Sequence, residues 1–125
     1  MQVRLLSSPP LKGIIMLGDI ILIVWLHFIG DFVFQTSWMA NNKSDNLLAL
    51  GSHSILYMLP LFFISWQFAI LNGVLHFGVD YGTSKLTSYF WEEEKTRLFF
   101  GTIGADQAIH FTILFLSYAL LKGVI

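Results

Sequence analysis

The chain has 125 residues, 55% of them hydrophobic and 12% charged, with a net charge of −1 and no cysteine. That length leaves room for one domain, the charge offers no basic surface for nucleic acid, and the absence of cysteine excludes disulfides and thiolate metal sites. A mean hydropathy of +0.68 lies outside the usual range of soluble domains and points to a membrane as the solvent.

Residues 1–13, MQVRLLSSPPLKG, carry neither the long apolar stretch nor the cleavage site of a signal peptide. Pro9 and Pro10 interrupt any helix there, so the segment reads as a tail, and Met16 offers an alternative start. Residues 14–36, running through IIMLGDIILIVWLHFIGDFVFQ, predict a first helix. At 1.5 Å per residue about 20 such residues match the ~30 Å hydrocarbon core of a bilayer. The polar stretch NNKSDN at 41–46 ends it, and a second helix is expected over 47–65, with Pro60 near its end.

After a turn at Ser65 and Trp66, a third helix is expected over 67–88. The dense charge cluster WEEEKTR at 91–97 reads as a solvated loop, and a fourth helix follows over 98–121. The expected fold is an all-α membrane protein, residues 14–125 forming four transmembrane helices in an up-down-up-down bundle. Trp38 and Trp91 then mark one membrane face and Trp66 the other, as in an aromatic belt. Arg4, Lys12 and Lys122 on one side against Lys43, Lys85, Lys95 and Arg97 on the other leave the orientation open.

A charge at bilayer depth costs at least ~2.5 kcal/mol on insertion scales, so intramembrane carboxylates point to function. Asp31, Asp80 and Asp106 each have a histidine four residues away, namely His27, His76 and His110. That spacing puts both side chains on one helix face. Alternating helix directions bring these six groups and His53 of the second helix to one depth, on the side of the NNKSDN and WEEEKTR loops. The repeat HF..D(F/Y), in HFIGDF and HFGVDY, suggests two helical hairpins related by an axis along the membrane normal.

Imidazoles and carboxylates in this number suit a divalent transition metal, Zn²⁺ first, with Mn²⁺ or Fe²⁺ as alternatives. The candidate ligands are His27, Asp31, His53, His76, Asp80, Asp106 and His110. Seven groups exceed the needs of one zinc, which leaves room for two metals or for orienting roles. Gln35 and Gln107 are candidate donors to the ligands.

The blocks HFIGDFVFQTSWMANNK, GSHSILY, HFGVDYGTSK and DQAIH, in that order, resemble the DUF3307 family of small bacterial and phage integral membrane proteins. The resemblance spans about residues 16–121. It implies a polytopic protein of the bacterial inner membrane, bacterial or phage-encoded, and its pattern falls on His27, Asp31, Gln35, Lys43, His53, His76, Asp80, Lys85, Asp106, Gln107 and His110. A looser likeness is to membrane-bound metal-dependent hydrolases. Glu92, Glu93 and Arg97 fit the E-E-x-x-x-R start of intramembrane CAAX-type proteases, but the later histidine elements of that pattern are missing.

Three functions follow from these readings. The first is a metal-dependent hydrolase acting on a lipid-like or membrane-proximal substrate, the metal activating water and one of Asp31, Asp80 and Asp106 acting as general base. The second is a proton, cation or metal transporter, and the third a non-enzymatic phage effector or scaffold. Because the other half of the bundle reads as apolar, including LFFI at 61–64 and ILFLSYALL at 113–121, a one-sided site ranks above a path across the membrane. Membrane lipids are the expected surroundings, and a unit this small is a candidate homo-oligomer.

Overall fold

The computed structural model describes residues 9–125, and the expected tail lies outside these residues as far as Ser8. Among the described residues there are five α-helices and no strand: α1 (Pro9–Phe28), α2 (Ser37–Asn42), α3 (Leu47–Leu61), α4 (Trp66–Glu92) and α5 (Thr96–Leu121). A π-helical segment, Ile29–Val33, continues α1. The all-helical expectation holds, with four differences in detail.

First, α1 begins inside the expected tail, at Pro9. Proline is tolerated in the first helical turn because its missing N–H has no intrahelical partner there and its φ already suits a helix. Second, the first helix is not α-helical to its end. Between Ile29 and Val33 the turn widens, and the Phe34 amide donates to the Ile29 carbonyl at 2.9 Å, five residues back. Third, the short α2 was not foreseen; Thr36 caps it by accepting from the Met39 amide at 3.2 Å. Fourth, most of the charge cluster at 91–97 is helical, since α4 runs to Glu92 and α5 starts at Thr96. The loop between them shrinks to 93–95, turned by Glu94 in the left-handed region at φ 56°.

Capping explains the other starts. Asn46 accepts from the amides of Leu48 and Ala49 at the head of α3, and Ser65 accepts from that of Phe68 at the head of α4. The long helices pack in cyclic order: α1 with its π segment against α3, α3 against α4, α4 against α5, and α5 back against α1. Short α2 lies on α3.

The interior is unusual in kind. One end is apolar, where Ile23, Leu26, Leu61, Phe68, Leu114 and Tyr118 pack together. Further along, the buried side chains are His27, Asp31, His53, His76, Asp80 and His110. The outer surface is the reverse, with Phe63 at 82% and Leu48 at 71% exposure among many exposed large apolar residues. Two helical stretches, Leu11–Val33 and Thr96–Leu121, are long and apolar enough to cross a membrane.

Candidate metal centre

Each long helix contributes to one buried cluster. The π segment presents Asp31, α3 presents His53 and Tyr57, α4 presents His76 and Asp80, and α5 presents Asp106, Gln107 and His110. Four of these groups, Asp31, His53, His76 and Asp80, point donor atoms at one another.

The distances define the shape of that set. His53 Nε2 lies 3.0 Å from His76 Nε2, 3.1 Å from Asp31 Oδ1 and 3.4 Å from Asp80 Oδ2. His76 Nε2 lies 3.6 Å from Asp31 Oδ1 and 3.4 Å from Asp80 Oδ2. A tetrahedron of nitrogen and oxygen ligands at zinc bond lengths has edges of about 3.3 Å. The five distances that involve an imidazole bracket that value, and the two carboxylates lie within 4.8 Å of each other, so the four side chains are compatible with one metal ion held by two imidazoles and two carboxylates. Tyr57 stacks on His76 with ring centroids 3.7 Å apart and planes 13° off parallel, which fixes the imidazole's plane.

Asp31, Asp106 and His110 form a second, overlapping group. His110 Nε2 lies 3.0 Å from Asp80 Oδ1 and 3.3 Å from Asp106 Oδ1. Thr83 donates its hydroxyl to Asp106. Gln107 joins the two groups, its amide nitrogen donating to Asp31 Oδ2 at 2.9 Å and to Asp106 Oδ2 at 3.2 Å.

His27 stands outside both groups. Gln107 Oε1 accepts only, so His27 Nε2, 2.8 Å away, must be the donor, and His27 Nδ1 accepts from the Tyr57 hydroxyl at 3.2 Å. With both ring nitrogens engaged and Nε2 3.6 Å from Asp31 Oδ2, His27 is placed to orient Gln107 and Asp31. Gln35 lines a cavity together with Asp31, Asp106 and Gln107, and its buried Oε1 has no partner among the described residues.

Three features go beyond the roles expected from the sequence, where Lys43 enters the site only through the family pattern. Lys43, carried on the turn after α2, donates to Asp80 Oδ2 at 2.9 Å. It is the one lysine in salt-bridge contact with the cluster among the described residues, and it meets an oxygen of the tetrad itself. Tyr57 had a signal in the sequence, since it follows His53 at the same four-residue spacing as the His and Asp pairs. Asp19 is a further carboxylate within the first span, bonded by the Tyr118 hydroxyl at the other end of the bundle.

The expected apolar half therefore holds two polar pairs, Asp19 with Tyr118 and Asn72 with Ser117 at 2.9 Å. They are separated by apolar packing. Leu61, Phe68, Ala69 and Leu114 are fully buried in the apolar packing of that end.

On the loop side, a polar cavity of about 570 Å³ reaches down to Asp31, Asp106 and Gln107. Lys43 hangs over it from the α2 turn, and α4 contributes a ladder of hydroxyls, Thr83, Ser84, Thr87 and Ser88. Ser84 Oγ is buried without a partner among the described residues. His53, His76, Asp80 and His110 do not line this cavity, so it meets the cluster through Asp31, Asp106 and Gln107.

A family model described as Protein of unknown function (DUF3307) matches residues 20–124, a stretch that includes every group of the cluster. No curated protein and no solved structure matches the chain.

Proposed function

The chain belongs to the DUF3307 family, whose function is unknown, and from that premise we propose that it is a four-span membrane protein built around a transition-metal centre, acting as a hydrolase at one membrane face. The observation that carries this reading is the tetrad of Asp31, His53, His76 and Asp80, whose donor atoms stand 3.0 to 3.6 Å apart. Two buried carboxylates, Asp31 and Asp80, and the half-buried Asp106 share one lysine, which touches Asp80 alone, so negative charge is in excess and its desolvation costs several kcal/mol per buried group unless cations offset it. A divalent ion supplies that offset.

The membrane setting rests on the inverted distribution of polarity. Ionisable groups fill the interior while Phe, Leu, Ile and Trp cover the outside, the reverse of what water selects. Helix α3 is short for a span at 15 residues, and α4 is diluted by its site residues. Packed between α1 and α5, both are carried across by their neighbours.

The loop-side cavity argues for chemistry at one face. A bound zinc ion would polarise a substrate oxygen and activate water. The protein's own part is to hold the two imidazoles in the plane set by Tyr57, to orient Asp31 through Gln107 and His27, and to admit the polar end of a lipid-like substrate past the hydroxyls of α4. The apolar packing of Leu61, Phe68 and Leu114 disfavours a transport path.

Elemental analysis of the protein, purified in mild detergent without a histidine tag, tests the centre. The parent and Glu93→Gln are expected to retain at least one equivalent of transition metal, and His76→Ala to lose it. A metal-free parent from metal-replete growth refutes the proposal. Cleavage of a fluorogenic lipid ester in micelles, abolished by a chelator and restored by Zn²⁺, tests the hydrolase assignment.

A further inference from the structure

We propose that the cluster takes a second divalent ion, held by His110, Asp106, Asp80 and Asp31, so that Asp31 and Asp80 bridge two ions. This rests on the metal centre proposed above and extends it. The geometry around Asp80 is the starting point. Its Oδ2 faces His53 and His76 at 3.4 Å each, whereas its Oδ1 faces His110 at 3.0 Å. One carboxylate thus presents each of its oxygens to a different set of imidazoles.

Asp31 behaves in the same way. It belongs to both donor groups, its Oδ1 lying 3.1 Å from His53 while Gln107 ties its Oδ2 to the Asp106 side. The contacts of His110 Nε2 at 3.0 and 3.3 Å match the ~3.3 Å ligand-to-ligand spacing of a small divalent ion. Two-metal sites hold their ions about 3.5–4 Å apart, the separation that shared carboxylates impose.

Charge leads to the same arrangement. One dication and Lys43 only balance three carboxylates, leaving none of the positive excess with which a hydrolytic centre draws in an anionic oxygen. A second dication supplies it. The two positions also differ in access, because Asp106, which belongs to the second position alone, lines the loop-side cavity, while His53 and His76, which belong to the tetrad alone, do not. The tetrad ion is therefore the buried, structural one, and the second ion is the one a substrate meets. With one imidazole and three carboxylates its donors are harder, which favours Mn²⁺ or Fe²⁺ there over the tetrad.

Loading metal-free protein with Mn²⁺ in detergent, with elemental analysis and electron paramagnetic resonance as readouts, tests the proposal. The parent and the cavity-mouth control Glu92→Gln are expected to bind two equivalents and to show the signal of an exchange-coupled pair. Asp106→Asn is expected to keep one equivalent, with an uncoupled signal. One uncoupled equivalent in the parent, unchanged in Asp106→Asn, overturns the second site and leaves the first standing. A parent that binds none overturns both. Should Asp106→Asn fail to fold, the parent's stoichiometry and coupling decide the matter alone.

Discussion

Gly30 and Gly78 occupy similar places in the two HF..D repeats, and the structure predicts opposite outcomes when each becomes alanine. A Cβ on Gly30 would lie 2.6 Å from the Tyr57 carbonyl oxygen and 3.0 Å from its Cα, both on the rigid backbone of α3. Ordinary contact begins at 3.4 Å, so the π segment and α3 must part by about 0.8 Å. Overpacking of this kind costs about 1–3 kcal/mol. The next residue is Asp31, and the same displacement stretches its 3.1 Å contact with His53 past hydrogen-bonding range, opening one edge of the tetrad. A Cβ on Gly78 meets nothing within 4 Å, and alanine there gains about 1 kcal/mol of helix propensity. Thermal unfolding and metal retention after desalting, measured side by side in one detergent, should separate the variants. Gly30→Ala should melt several degrees lower and lose metal at least tenfold more readily, while Gly78→Ala should match or exceed the parent. Equal shifts in the same direction would refute the close approach of the two backbones and its role in placing Asp31.

Replacing His27 by Gln should keep the metal stoichiometry but weaken affinity by about 10–100-fold, as loss of an orienting partner does, and a competition titration against a chelator reads both. Lys43→Met should bind the first ion about tenfold more tightly or better in the same titration. The ammonium stands some 4–5 Å from that ion, and even with the dielectric constant of water the repulsion is about 1.8 kcal/mol. Cysteines placed at Asn42 and Glu93 should react with an impermeant reagent from the same side of sealed vesicles, and one at Ser65 only from the other. Labelling of Asn42 and Glu93 from opposite sides would break the four-span topology.

Much of the cluster is legible in the sequence because helical spacing is rigid. A histidine and an aspartate four apart in an apolar α-helix must share a face, and His76 with Asp80 and His110 with Asp106 do so. The first copy keeps the contact more loosely, with His27 Nε2 3.6 Å from Asp31 Oδ2. HFIGD reads like HFGVD, yet the widened turn at Ile29–Val33 re-aims Asp31 at His53 and leaves His27 facing Gln107 and Tyr57. No residue type in that stretch announces a π turn, although Gly30 is the one that permits the tight packing around it. Asp19 goes unread because it has no histidine at helical spacing; its partner, Tyr118, is 99 residues away. Lys43 sits in a polar turn that looks solvated, and only the fold shows it reaching Asp80. The start of α1 is misjudged for a general reason, since a proline pair can open a helix as readily as break one.

The loop-side cavity goes down to Asp31, Asp106 and Gln107, and the far end of the bundle has an apolar floor of Leu61, Phe68 and Leu114. On the proposed hydrolase reading, substrate would enter and product would leave on the loop side, so product would compete with the next substrate. The same floor has an electrical meaning. On the proposed membrane reading, the six buried ionisable groups and half-buried Asp106 would leak ions only if water threaded past them, and the apolar packing at the far end stands against that.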